Sequence, residues 1–104
     1  MTPEEMKKEV RTSLYDVYDP ETGLNLIDLG LIYDVEWSPE NGEVKVTMTF
    51  TTPACPAGGV MISGVERRVS TISGVEQVTV DVTFEPPWTP EKITPEGRRQ
   101  LGWG

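Results

Sequence analysis

The chain contains no histidine and a single cysteine among its 104 residues. Without imidazole, the side chain best suited to general base catalysis near neutral pH and a common metal ligand are both missing. A lone thiol cannot form an internal disulfide, and a reducing compartment keeps it free. These shortages exclude a Cys–His catalytic pair. They also exclude a closed zinc or iron-sulfur site made by this chain alone, since such sites use about four soft ligands.

Positive charge is also scarce. Nine Lys and Arg stand against 17 Asp and Glu, which gives a net charge of -8 and a pI of about 4.4. Nucleic acids and anionic membranes bind through clustered basic residues, so we expect neither as a partner. No apolar run approaches the ~20 residues that span a bilayer, and the first residues lack the apolar segment of a secretory signal. The sequence therefore predicts a cytoplasmic protein.

What is present is a series of periodic apolar segments, in a chain whose length suits one domain over residues 1–104. Thr2-Pro3-Glu4-Glu5 predicts a capped helix start, with Pro at the first helical position. A helix is predicted from about Pro3 to Tyr15, and Asp19-Pro20 ends the segment because a residue before proline leaves the helical region. Its apolar stripe comprises Met6, Val10, Leu14 and Val17.

The next part of the chain alternates with period two, as strands do. Residues 21–31 predict irregular structure, and 33–37 and 44–50 predict two strands joined by the turn cluster at 38–42. These strands form a hairpin with one apolar and one polar face. Their apolar positions are Tyr33, Val35, Trp37, Val44, Val46, Met48 and Phe50.

A second helix and a third strand complete the order α-β-β-α-β, which predicts an α+β fold of two layers. The helix follows a loop at 51–59, carries an apolar stripe from Val60 to Ile72 and ends at Ser73-Gly74. The strand alternates from Val78 to Phe84. Two further Thr-Pro-Glu triplets, at Thr89 and Thr94, predict one or two short helical turns on the surface.

Cys55 is the first candidate for chemistry. If Pro56 takes the first helical position, Cys55 is the N-cap or its neighbour, and its sulfur faces unpaired N–H groups that favour thiolate. The ordinary alternative is a buried apolar filler. A nucleophile without histidine would depend on the helix terminus alone. A metal site would have to be shared, with a second copy of Cys55 or with another protein's ligands, and nearby carboxylates could assist.

The other candidates each have an ordinary structural interpretation. Asp19, Glu21 and Asp28 lie between the first helix and the first strand, where they could equally end a helix, face solvent or cap a turn. Thr52 precedes the thiol by three positions, yet threonine is also a common strand-forming residue. Trp88 could bind a partner peptide, although an aromatic ring more often covers the end of a small core.

Five short motifs follow one another along nearly the whole chain: Asp19-Pro20-Glu21, Asp28-Leu29-Gly30-Leu31-Ile32-Tyr33, Thr52-Pro53-Ala54-Cys55-Pro56, Pro86-Pro87-Trp88 and Gly97-Arg98-Arg99-Gln100-Leu101-Gly102. In this order they resemble the SufT and PaaD-like family, a former domain of unknown function linked to metal-sulfur cluster biosynthesis. The resemblance implies a compact fold with a small three-stranded mixed sheet and helices packed on one face. It also implies a role in maturing iron-sulfur proteins.

The resemblance further implies which residues act together. By position, Cys55 matches the motif cysteine, Asp19 and Glu21 match the acidic pair, and Thr52 matches the threonine of the cysteine loop. We expect these four around one pocket, with iron or a cluster bound transiently and no stably held cofactor. The implied partners are cluster scaffolds or apoprotein clients, and no turnover reaction is implied. A symmetric homodimer would let two thiols meet, but composition does not decide it.

The chain departs from the family pattern in two places. Thr22-Gly23-Leu24 replaces an Ile-Pro-Val type of sequence, and Ala54 stands where relatives often have glycine. The PaaD branch carries further cysteines after this domain, and the present sequence ends at Gly104 without them, which favours the general, SufT-like role. The alternatives are an interaction subunit of a PaaD-like oxygenase-maturation system, with Trp88 as the docking residue and no metal ligand, and a thiol-dependent enzyme.

Overall fold

The first helix forms where its capping residues and apolar stripe predict it. The computed structural model describes residues 2–102, and in it helix α1 spans Pro3–Leu14. The Thr2 hydroxyl accepts a hydrogen bond from the Glu5 N–H at 3.2 Å, and the Glu5 carboxylate accepts one from the Thr2 N–H at 2.7 Å. This capping box satisfies two backbone donors that a helix start leaves unpaired. The predicted stripe is buried along its length.

The sheet has three strands, β1 (Ile32–Ser38), β2 (Glu43–Met48) and β3 (Gln77–Val82). Strand β2 lies in the centre, antiparallel to β1 and parallel to β3, so the expected mixed sheet is confirmed. The parallel connection passes through helix α3 (Gly58–Ser70), as parallel neighbours require a crossover. A register shift between Ile32 and Asp34 interrupts the β1–β2 ladder.

Both long helices cover the same face of this sheet. Val35 pairs with Val46, and Val44 pairs with Val78, so these side chains share the face that joins the core with α1 and α3. The opposite face is polar and carries an ion pair between Lys45 and Asp81 at 3.1 Å. The two-layer α+β prediction is therefore confirmed.

Residues 21–31 are more ordered than the sequence predicts. They contain a four-residue helix, α2 (Leu26–Leu29), between the N-cap Asn25 and the C-cap Gly30. A single helical turn shows no apolar period, so periodicity could not reveal it. Gly30 has a φ of +80°, and a Cβ there would lie 2.3 Å from the Lys92 carbonyl oxygen. Only glycine fits this position.

Helix α3 differs from its predicted bounds at both ends. It begins at Gly58 and ends at Ser70 with Thr71 as its C-cap, whereas Ser73-Gly74 belongs to the turn that follows. Val60, predicted to lie on the apolar stripe, is 66% exposed. The core face of α3 comprises Gly58, Met61, Val65 and Val69. Strand β3 also ends earlier than predicted, at Val82.

The C-terminal segment lies against α2. Its two predicted helical turns are present, as a 3₁₀ turn (Pro90–Lys92) and helix α4 (Pro95–Gln100). The Thr94 hydroxyl accepts the Gly97 N–H at 3.0 Å and donates to the buried Asp28 carboxylate at 2.8 Å. Asp28 also accepts the side-chain amide of Asn25 at 2.8 Å. Within residues 2–102, no helix is long and apolar enough to cross a bilayer.

The two Thr-Pro-Glu triplets allow a matched test of this attachment. Thr94→Val removes the cap of α4 and the hydrogen bond to Asp28, so the free energy of unfolding should fall by about 1–2 kcal/mol. Thr89 begins the 3₁₀ turn without a side-chain cap. Thr89→Val should therefore change it by no more than about 0.5 kcal/mol. Urea denaturation followed by circular dichroism measures both, and equal losses would contradict the assigned role of Thr94.

Candidate functional site

Cys55 lies in the loop between β2 and α3, within two successive turns. Its N–H donates to the Thr52 carbonyl at 3.3 Å, and its own carbonyl accepts the Gly58 N–H at 3.2 Å. Pro56 thus occupies the second position of a turn, where its fixed φ is favoured, instead of opening the helix. The prediction that Cys55 is at or next to the N-cap was wrong, because the cap is Ala57.

The thiol contacts a residue that is far away in the sequence. Cys55 Sγ lies 3.8 Å from Glu21 Oε1 and donates a hydrogen bond to it. The cysteine is half-buried and packs partly against the core, whereas Glu21 is exposed. The position of Cys55 lies between the two predicted extremes, an accessible thiol and a buried filler.

Asp19 shapes the turn that presents Glu21. Its carboxylate is buried, with the residue only 1% exposed, and it accepts the Glu21 N–H at 2.9 Å and the Thr22 hydroxyl at 3.4 Å. An aspartate that accepts from the backbone two residues later is a common way to fix a turn. The Gly23 N–H closes the same turn on the Asp19 carbonyl at 2.8 Å. Asp19 therefore positions Glu21, and both of its oxygens are already in use.

Thr52 joins the site through its backbone. Its carbonyl accepts the hydrogen bond from the Cys55 N–H. Its side chain is exposed, and within residues 2–102 its hydroxyl forms no hydrogen bond. Of the four residues predicted around one pocket, Cys55 and Glu21 are in direct side-chain contact, and Asp19 supports Glu21. A side-chain function for Thr52 remains a prediction.

The protonation of Cys55 differs from the sequence-based expectation. Burial is the largest influence and raises the pKa of the Cys55 thiol above its ordinary value. Hydrogen bonding from Ala57 acts in the opposite direction, and the negative charges of Glu21 and Asp19 raise the pKa further. The site therefore favours a neutral thiol. This direction is opposite to the lowered pKa that activates a cysteine nucleophile.

Trp88 is anchored to the fold. Its indole Nε1 donates to the Leu29 carbonyl at 2.7 Å, and the half-buried ring packs against the core. This contact fixes the start of the C-terminal segment on α2. A partner-binding role for Trp88 remains a prediction, and the structure gives the ring a packing function of its own.

A metal could not be enclosed by the described residues. Within residues 2–102, no three Cys, Asp or Glu side chains converge closely enough to hold a metal ion. Cys55 and Glu21 supply one sulfur and one carboxylate. Any iron or cluster bound there would need its remaining ligands from another molecule.

The comparisons with known proteins agree with one another on the family that this chain resembles. The family model described as "Iron-sulfur cluster assembly protein" matches residues 7–82. A Porphyromonas gingivalis protein, "Fe-S protein maturation auxiliary factor", is 42% identical over 102 residues, covering 98% of this chain and 92% of its own. The "Fe-S protein maturation auxiliary factor SufT" of Staphylococcus aureus is 34% identical over 86 residues, covering 83% and 97%. A crystal structure of a domain of unknown function from Bacillus anthracis matches with a TM-score of 0.91 at 35% identity, covering 96% and 94%.

The influence of Glu21 on the thiol can be measured directly. Glu21→Gln removes a negative charge beside the sulfur, so the pKa of Cys55 should fall and alkylation by iodoacetamide near neutral pH should become several-fold faster. The control is Glu40→Gln, which changes the same charge in the exposed β1–β2 turn. An unchanged pH profile for Glu21→Gln, or one shifted to higher pH, would contradict the assigned contact.

Proposed function

This chain belongs to the iron-sulfur cluster assembly protein family, and on that premise we propose that it assists the maturation of iron-sulfur proteins as an adaptor or carrier. Support comes from the extent of the matches, because a protein named as a maturation auxiliary factor aligns over 98% of the chain. This match covers nearly all of both proteins. It favours the general maturation role over the PaaD-like alternative.

The observation that carries the proposal is the contact between Cys55 and Glu21 across 34 positions of sequence. A thiolate suits iron and cluster ligation, and a carboxylate can supply a harder oxygen ligand beside it. Two ligands bind more weakly than a closed set of four. An incomplete set fits a carrier, because the remaining positions stay open to a scaffold, an apoprotein client or a second copy of Cys55.

Because Cys55 is a neutral thiol, iron binding at this site is coupled to the loss of a proton. Metal binding requires the thiolate, so the Cys55 proton must leave when iron arrives. Glu21 already accepts the hydrogen bond from that proton, and because Glu21 is exposed the proton can pass on to water, which leaves the carboxylate free to bind iron. The chain has no histidine and the pKa of Cys55 is raised, so the site supports binding and transfer of iron better than catalytic turnover. We infer a cytoplasmic setting, where a thiol stays reduced.

Anaerobic reconstitution with ferrous iron and inorganic sulfide tests the ligand role. The wild type should take up iron and develop visible thiolate-to-iron absorption, and Cys55→Ser should lose both, with folding checked by circular dichroism. Iron bound per chain, combined with size-exclusion chromatography, shows whether two copies share one cluster. Equal uptake by Cys55→Ser would overturn the role of Cys55 as a ligand. So would a lack of uptake by either form, alone or with a cluster-loaded carrier.

The protonation state predicts a direction for the pH dependence. Below the raised pKa of Cys55, each bound iron displaces a proton, so the apparent affinity should rise roughly tenfold per pH unit between about pH 6 and 8. Competition with a chelator under anaerobic conditions measures this slope. Cys55→Ser should show a flat profile for any residual binding. A pH-independent affinity in the wild type would mean that the thiol is not the ligand.

A further inference from the structure

A groove lies beside the cysteine loop, between the end of α1 and helix α3. It is open to solvent, has a volume of about 990 Å³ and begins at Pro56, next to Cys55. One wall is formed by residues 16–18 after α1, and the other by the face of α3 that runs from Gly59 to Thr71.

The groove exposes large apolar side chains. Val60 is 66% exposed and Tyr18 is 55% exposed, and both line it. Single exposed apolar residues are ordinary, but two that line one concave surface favour a contact with another molecule. Val60 lies outside the face of α3 that buries Met61, Val65 and Val69, so its side chain is available to a partner.

Small residues keep this groove open. A Cβ added at Gly64 would lie 3.0 Å from Val17 Cγ1, so glycine lets α3 approach the segment after α1 closely. A Cβ added at Gly59 would meet nothing within 4 Å, so the space above Gly59 is unfilled. The groove thus has a close-packed floor and an open end near the cysteine loop.

The charge of the groove is opposite to that of the whole chain. The chain carries a net charge of -8, yet the charged residues lining the groove are Arg67, Arg68 and Asp16. Arg68 Nε pairs with Asp16 at 3.1 Å, and Arg67 is exposed and forms no ion pair within residues 2–102. Arg67 therefore offers a free positive charge beside exposed apolar surface, which complements a segment that is both apolar and acidic.

We propose that the groove binds a short segment of a partner protein in which large apolar residues stand next to carboxylates, and that it holds this segment beside Cys55. Val60 and Tyr18 would contact the apolar side chains, and Arg67 would pair with a carboxylate. The binding itself requires no metal. Only the idea that this partner donates or receives iron rests on the proposed function.

Three synthetic peptides of equal length test the chemistry of this groove. One alternates Leu with Asp, one replaces Asp with Lys, and one replaces Leu with Ser. In ¹⁵N–¹H correlation spectra, the Leu/Asp peptide should shift the amides of Gly59, Val60, Gly64 and Arg67 in a saturable manner. The other two should bind about tenfold more weakly. No saturable shift, or shifts confined to another surface, would overturn the proposal.

Three variants locate the contact. Arg67→Glu should weaken the Leu/Asp peptide about tenfold and strengthen the Leu/Lys peptide. Gly59→Leu should fill the open space and abolish binding while the helix remains intact, because no atom lies within 4 Å of an added Cβ. Lys8→Glu makes the same charge change as Arg67→Glu on the exposed side of α1, away from the groove, and should bind as the wild type does. Equal effects of Lys8→Glu and Arg67→Glu would overturn the assignment.

The outcome is separable from that of the proposed function. Cys55→Ser should bind the Leu/Asp peptide as well as the wild type does, even though it loses iron. If the wild type binds the peptide but takes up no iron, the groove proposal holds and the carrier role is rejected. If it takes up iron but does not bind the peptide, the groove proposal is rejected. Sedimentation of the wild type and Gly59→Leu tests whether a second copy of this chain occupies the groove instead. A wild-type dimer that Gly59→Leu dissociates would show that a second copy fills the groove, and would overturn the proposal.

Discussion

A carboxylate taken out of water must be hydrogen-bonded, and this chain buries two of them between α1 and β1. Asp19 is satisfied by the Glu21 N–H and the Thr22 hydroxyl, and Asp28 by Asn25 and Thr94. The first arrangement fixes the turn that carries Glu21 to the thiol. The second attaches the C-terminal segment to α2. The geometry of the candidate site and the attachment of the C-terminal segment therefore both depend on the hydrogen bonds that these two buried carboxylates accept.

The sequence predicted the parts of the fold that have a period. The capping box at Thr2, the hairpin and the α-β-β-α-β order are all in the structure, because alternation and capping are local signals. Helix α2 was missed because one turn has no period. The start of α3 was misplaced because Pro56 is as favourable in a turn as at a helix start, and local sequence does not distinguish the two.

The sequence named residues that the fold brings together, but it did not predict their electrostatic environment, and the function of the site stays a prediction. The motif positions named Cys55, Asp19 and Glu21, and the fold brings Glu21 to the sulfur. The predicted thiolate depended on a helix terminus, whereas the observed surroundings are partial burial and carboxylates, which act in the opposite direction. That reversal depends first on burial of the thiol and then on the charges of Glu21 and Asp19, which only the tertiary structure reveals. The groove was likewise hidden, since its other wall is formed by residues 16–18, which reach α3 only through the tertiary structure.

The mixed pairing of β2 has a consequence for how the chain folds. Its antiparallel partner β1 is reached across the short turn at residues 39–42, whereas its parallel partner β3 is reached only after residues 49–76. Loop-closure entropy favours the short connection, so we expect the β1–β2 hairpin to form before the crossover closes. Cys55 lies within that crossover. The hydrogen bond from its sulfur to Glu21 therefore requires the crossover to fold back onto the turn that precedes α2.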